Sequence, residues 1–286
     1  MTTAATSPGD PEDGVGPSLT GQAVAAWRAR LVRPTSPDGD AGAQAAMCPG
    51  MVPLADARLR AHLGARTRFF DGQVLAAMGG GTDQVVILGA GYDDRSLRFR
   101  SAGVRFFEVD LPRNQADKRR RLRRMGVDRA GPVLVAADFR VDDVAVLLDS
   151  AGHRADRPTL FVAEGLLVYL EPEAGVDLLR AVRSRAAPGS ALAASLAVHP
   201  EGLDSDRVTT GANAARARGE SEPWRTILPR SDHLDLVARS GWSVVDLTDD
   251  AALDDRAVPG RSLLLEARPC ALRPTRPPGR AGYTGA

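Results

Sequence analysis

The apolar run Gln84-Val85-Val86-Ile87-Leu88, ending in Gly89-Ala90-Gly91, constrains this chain more than any other segment. A β-branched run that stops at Gly-x-Gly reads as a buried parallel strand feeding a tight turn. A second run, Phe106-Phe107-Glu108-Val109, ends in Asp110, an acid 21 positions after Gly89. Nucleoside-binding α/β domains need this pair of features. Glycines let the backbone approach the ligand, and the acid accepts hydrogen bonds from ribose hydroxyls. Dinucleotide sites add a third glycine for close helix–strand packing, but Asp94 occupies that position here. The pattern therefore argues for a smaller adenosyl ligand and against a pyrophosphate.

Around this nucleus the chain alternates strand and helix patterns, the signature of a parallel sheet covered on both faces. Strands are expected near 84–88, 104–109, 132–136, 159–164, 190–198, 243–247 and 262–267, with helices filling most of the gaps. Helical patterns also run from Gly21 to Arg33 and from Ala57 to Met78, separated by a Pro/Gly/Asp stretch at 34–53. The expected organisation is a disordered start over 1–17, a helical cap over 18–77, a ligand-binding α/β domain over 78–272 and a disordered tail over 273–286. Seven strands behind a helical preface is the count of a class I methyltransferase fold, with the last strand returning antiparallel.

Charge and cysteine usage exclude more than they suggest. A formal charge of +1 supplies no general pull towards nucleic acid or membrane. Residues 1–17 lack the basic and apolar regions of a secretion signal, and no apolar run approaches the roughly 18 residues of a spanning helix. A soluble cytoplasmic protein is the expectation. Cys48 and Cys270 have neither a disulfide framework nor metal-ligand spacing, so no metal is expected. Among 37 basic residues Lys118 is the only lysine. It opens the run Lys118-Arg119-Arg120-Arg121-Leu122-Arg123-Arg124, which reads as an exposed helix face; no aromatics interleave to stack bases.

Further candidate site residues follow the strand ends. Asp138-Phe139 closes the third strand, where a carboxylate can accept from an adenine amine; the alternative is an N-cap for a helix from Val141. Glu164 ends the fourth strand, and a buried acid there requires an ammonium or arginine partner, supplied by ligand or by protein. Arg66 precedes the first strand and can clamp a carboxylate over the glycine turn, or lie on a solvated helix face.

The segments Ala-Arg-Thr-Arg-Phe-Phe-Asp at 65–71, Val-Ile-Leu-Gly-Ala-Gly-Tyr-Asp-Asp-Arg at 86–95, Phe-Glu-Val-Asp-Leu-Pro at 107–112 and Ala-Glu-Gly-Leu-Leu-Val-Tyr-Leu at 163–170 together resemble the leucine carboxyl methyltransferase family. The resemblance runs from about Leu19 to Ala267. It implies S-adenosyl-L-methionine as cofactor. By position, Arg66 would hold the methionyl carboxylate, Gly89 and Gly91 form the cofactor turn, and Asp110 bind the ribose. Asp138 and Phe139 would contact adenine, and Glu164 would lie near the amino group and the substrate mouth. Asp93 and Arg95 match the family's Asp-Thr-Arg, with Asp94 in place of its threonine. The family's acidic Asp-Asp-Pro segment is not visible at 38–53, so the acceptor side departs from the pattern.

The resemblance implies an O-methyltransferase acting on a small metabolite or a peptide C-terminus. A carboxylate acceptor is already ionised and needs no general base, and no His-Asp pair stands out among the four scattered histidines. Glu164 and Tyr169 are the catalytic candidates, with Tyr92 and His199 as further residues near the acceptor. A hydroxyl acceptor with an added base, or a binding protein that kept the fold without the chemistry, are the alternatives.

Overall fold

The computed structural model describes residues 16–53, 57–127, 131–216, 222–249 and 262–270. Its centre is a seven-stranded sheet made of β1 (Gln84–Leu88), β2 (Arg105–Asp110), β3 (Val133–Ala136), β4 (Thr159–Ala163), β5 (Ala191–Ala197), β6 (Trp242–Asp249) and β7 (Ser262–Pro269). The spatial order is β3-β2-β1-β4-β5-β7-β6, with β7 antiparallel to both neighbours and β1 to β5 parallel. The chain winds outward from β1 through β2 to β3, then returns to β4 on the other side of β1. This reversal opens a crevice at the carboxyl ends of β1 and β4, where ligands bind in open α/β sheets.

Nine helices among the described residues surround the sheet. They are α1 (Leu19–Arg28), α2 (Ala43–Met47), α3 (Ala57–Gly79), α4 (Arg95–Arg98), α5 (Pro112–Arg124), α6 (Val144–Ser150), α7 (Pro172–Ser184), α8 (Ser205–Arg216) and α9 (Arg230–Arg239). Every residue of β1 and β4 is buried, because both faces are covered. Alternation sorts their side chains: Val86, Leu88, Phe161 and Ala163 join α6, α7 and α9 in one core, while Val85, Ile87, Leu160 and Val162 pack on Phe70 and Val74 of α3. A third cluster joins Ala25, Ala43 and Met47 of the cap to Tyr92, Leu97 and Leu122. No described helix is long and apolar enough to cross a membrane.

Several boundaries differ from expectation. Helix α1 stops at Arg28 and not at Arg33. Its end tightens, with Arg30 and Leu31 N–H groups reaching back three residues, and Pro34 follows without a donor. The expected loop at 34–53 contains α2. The helix expected from Val141 begins at Val144, because the Asp143 carboxylate, not that of Asp138, accepts from its Ala145 and Val146 amides. Lys118 is 1% exposed, a correction to the expected solvated face. The run covers more than half the helix circumference, so one of its members must turn inward. The disorder expected at 1–17 and 273–286 falls, residues 16 and 17 apart, outside the described residues.

Trp242 is fully buried against Phe161, and its indole N–H donates to the Leu179 carbonyl at 3.0 Å. Trp242→Ala should lower stability by about 3–5 kcal/mol, read as a reduced denaturant midpoint.

Candidate functional site

At the end of β1 the backbone turns through Gly89 at φ 62° and Gly91 at φ 45°, a region that only glycine enters without strain. A Cβ on Gly89 would lie 2.9 Å from Leu166 Cδ1, whereas one on Gly91 would meet nothing nearer than Asp110 Oδ2 at 4.0 Å. A side chain at the first glycine would have to displace Leu166, and the second leaves open room beside the acid. Asp110 Oδ2 accepts from the Gly91 amide; Oδ1 accepts from the Leu111 amide at 2.6 Å and from Asn114 Nδ2 at 2.7 Å. Burial pushes the Asp110 carboxyl above its usual range, against the hydrogen bonds from Asn114, Gly91 and Leu111 that favour the ionised form. Oδ2 keeps acceptor capacity for a further donor.

Beside this turn lies a buried ion lattice. Glu164 receives Arg28 Nη2 at 2.8 Å, Arg66 Nε at 3.0 Å and Arg95 Nη1 at 2.6 Å. Arg95 also binds Asp93 at 2.6 Å and Asp71 at 2.7 Å. Asp71 takes the fork of Arg33, whose Nη1 reaches Asp94 at 2.6 Å, and Asp94 holds Arg98 at 2.8 Å. Arg28 extends to Asp93 at 3.5 Å. Five guanidinium groups thus face four carboxylates, and none of these side chains is more than 13% exposed. The lattice has a surplus cation. Arg66 is its most exposed member and uses only Nε; Nη1 and Nη2 meet no acceptor among the described residues. These nitrogens lie against Gly165, where a Cβ would come within 3.1 Å of Nη1.

Burial alone would raise the Glu164 carboxyl, but Arg28, Arg95 and Arg66 outweigh it and hold it well below its usual range. Asp93 is lowered in the same way, with Arg95 and Arg28 overcoming burial. Glu164 already accepts three of the four hydrogen bonds its oxygens can take.

The structure brings Arg66, Gly89, Gly91, Asp93, Arg95, Asp110 and Glu164 together at the crevice. Asp138 and Phe139 follow β3, one residue beyond Ala137, whose amide donates to the Asp110 carbonyl at 2.9 Å. The Asp138 carboxylate makes no bond to the lattice; it holds the Arg140 guanidinium at 2.6 Å, and Phe139 packs at the margin of the main core. Tyr169 sits in a 3-10 turn (Leu167–Tyr169) beyond β4, half-buried, its hydroxyl without a hydrogen-bond partner among the described residues. Tyr92 is committed elsewhere, donating to Asp117 at 2.7 Å. His199 is tied to Pro200 O and Ser205 Oγ at 2.7 and 2.8 Å.

Arg28, Arg33, Asp71 and Asn114 are functional neighbours that sequence reasoning gave no role. In a chain whose cations are almost all arginine, nothing marks the buried ones. Asp71 alone carried a signal, as the last residue of the 65–71 segment.

Sheet order, glycine turn, ribose-type acid and surplus guanidinium define an α/β domain of the class I S-adenosyl-L-methionine-dependent methyltransferase type. The chain belongs to the leucine carboxyl methyltransferase family, whose sequence profile matches residues 24–183. The match is shorter than the expected span of 19–267 and ends in α7. A Mycolicibacterium smegmatis relative is 37% identical over 226 residues, 71% of each chain. A Mycolicibacterium gilvum relative is 43% identical over 162 residues, 56% of this chain and 50% of the relative. Both are provisionally named S-adenosyl-L-methionine-dependent methyltransferases. The chain spans about half the length of the M. gilvum relative and 44% of a Parafrankia one. In fold it is similar to a crystal structure from Thermobifida fusca, described provisionally as a methyltransferase (TM-score 0.57, 17% identity, 91% of this chain and 97% of that one). It is also similar to magnesium protoporphyrin IX methyltransferase of Synechocystis, solved with S-adenosylhomocysteine (TM-score 0.50, 14% identity, 76% and 88%). The cofactor of this chain is S-adenosyl-L-methionine, and the open side of Gly91, the spare acceptor capacity of Asp110 and the surplus guanidinium fit it.

Removing one ion from such a lattice leaves its partners uncompensated. Glu164→Gln should destabilise the fold by about 3–5 kcal/mol, read by thermal or denaturant unfolding. Because the folded Glu164 carboxyl is depressed, its contribution is full above its ordinary value of 4.5 and is lost as pH falls below that. Stability should therefore show no step from Glu164 between pH 6 and 9 and should drop on acidification, an acid arm that Glu164→Gln shortens.

Proposed function

We propose that this chain is an S-adenosyl-L-methionine-dependent O-methyltransferase acting on a carboxylate of a small metabolite or of a peptide C-terminus. One observation carries the choice of acceptor: the lattice acids are locked in ion pairs, and Glu164 and Asp93 are held strongly ionised. A carboxylate kept ionised by three guanidinia is a poor base, so Glu164 cannot take a proton from a hydroxyl near pH 7. His153, His199 and His233 are bound to hydroxyl or carbonyl oxygens and form no ion pair with an acid among the described residues. An acceptor that arrives deprotonated needs none of them.

The bound cofactor supplies an electrophilic methyl group on a sulfonium, a good leaving group. The protein's part is to hold the partners in line and exclude water. Arg66 would take the ligand carboxylate with its two free nitrogens, which supplies the anion the lattice lacks. Asp110 would accept from ribose hydroxyls, and the Gly89–Gly91 turn would lie against the ligand. Asp138 and Phe139 would flank the adenine. Asp93 and Arg95 hold the turn and Glu164 in register. Tyr169, whose hydroxyl has no hydrogen-bond partner among the described residues, would orient an incoming carboxylate by donating a hydrogen bond.

The test uses methyl-labelled S-adenosyl-L-methionine with fractionated extract of the source cells, followed by mild base. Label released as methanol is expected, since esters hydrolyse where ethers do not. Label that survives base would overturn the carboxyl assignment and favour a hydroxyl acceptor. Arg66→Ala should raise the KM for S-adenosyl-L-methionine by roughly ten- to a hundredfold, the scale of losing charge-assisted hydrogen bonds.

A further inference from the structure

The inward face of α5 carries a row of polar groups, and each serves the cofactor crevice. Asn114 holds the Asp110 carboxylate, as described above. Gln115 Nε2 donates to the carbonyls of Glu108 and Val135, at 2.6 and 3.2 Å, which fixes β2 against β3 near their ends. Asp117 accepts from Tyr92, the residue after Gly91. Lys118 completes the row. Its ammonium lies 2.5 Å from Glu108 Oε2 and donates to the Asp93 carbonyl at 2.7 Å. Ser96 Oγ donates to the other Glu108 oxygen at 2.7 Å. Both members of the Lys118–Glu108 pair are essentially without solvent contact.

Two facts make this lysine more than a packing residue. It is the single lysine in a chain that otherwise uses arginine for every cation. Its head reaches a carboxylate and a backbone carbonyl from a fully buried position as a compact point charge, with less bulk than a guanidinium. Furthermore, the turn it touches contains two glycines at positive φ. Gly89 and Gly91 give the segment conformational freedom that must be lost to form one binding geometry. Asp93 ends that segment with every polar group occupied: its amide donates to Ala90 O at 2.8 Å, its carboxylate takes Arg95, and its carbonyl takes Lys118.

We propose that Lys118 is a positioning residue for the cofactor: seated between Glu108 and the Asp93 carbonyl, it holds the Gly89–Asp93 turn in the conformation that receives the ligand. Its action is preorganisation, so its loss is felt in affinity. The inference rests on cofactor binding and not on the acceptor class, so a wrong acceptor assignment leaves it standing.

Its test uses S-adenosylhomocysteine as probe and needs no methyl acceptor. Protein labelled with 13C,15N-lysine carries a single lysine side chain, so its ε-CH2 and Nζ signals need no assignment. They should move on addition of the probe and saturate with the dissociation constant found by calorimetry. Signals unmoved at saturation would overturn the proposal. Lys118→Met alone leaves Glu108 buried and unpaired, so the comparison is Glu108→Gln with and without Lys118→Met. The double variant should bind the probe roughly tenfold more weakly than Glu108→Gln, on the scale of one charged hydrogen bond; equal affinity in two folded proteins would count against a positioning role. Should the variants fail to fold, the lysine signals of the unaltered protein decide alone.

Discussion

The arginine–carboxylate lattice around Arg95 and Glu164 is the interaction on which the rest of the crevice depends. Arg95 is fully buried and binds Asp71 from α3, Asp93 from the glycine turn and Glu164 from the end of β4. One guanidinium thus joins the helical cap, the cofactor turn and the central strand. Such groups are expensive to remove from water and become tolerable only when each finds several partners. The consequence is geometric: cap and sheet are registered by ions that accept few alternative arrangements. Arg28 and Arg33, from α1 and the segment after it, extend the lattice and draw the start of the cap over the crevice.

Two supports of different chemistry converge on the same turn. On the cap side the contacts are ionic and form a lattice with one cation to spare. On the α5 side Asn114, Gln115 and Lys118 donate directed hydrogen bonds and Asp117 accepts one from Tyr92, with the Lys118–Glu108 ion pair among them. Between them sits a pair of glycines whose freedom would otherwise leave the turn undefined. A binding loop that must admit a ligand closely cannot fill its own space with side chains, so its rigidity has to come from neighbours. The same division explains Glu164. An acid at the mouth of a transfer site invites a role in proton transfer, but three guanidinia make it a fixed counter-charge.

Much of this architecture was legible in the residues. Apolar, β-branched runs alternating with helix patterns placed all seven strands to within a few residues, and the Gly89, Gly91 and Asp110 spacing located the crevice. Both signals are local, set by strand sterics and the backbone demands of a turn. The misreadings were equally local in origin. The short helix α2 lies in a stretch rich in glycine, proline and polar residues, where contact with α1 overrides weak propensity. Asp138 could be read as an adenine contact or as a cap, and it is Asp143 that does the capping. The choice between two nearby acids is made by where the chain turns.

The sequence by itself determined the sheet, the position of the ligand turn and the residue types that surround it, because these follow from periodicity and from the steric privileges of glycine. Only the tertiary structure decided which charges are buried and with whom. Arg28 and Arg33 look like any other arginines in a chain with 37 basic residues, and Lys118, though the single lysine, stands in a run that reads as exposed. Ion pairing inside a protein joins residues that may stand 136 positions apart, as Arg28 and Glu164 do. Its energy depends on burial and on the count of partners, neither of which is a property of a segment.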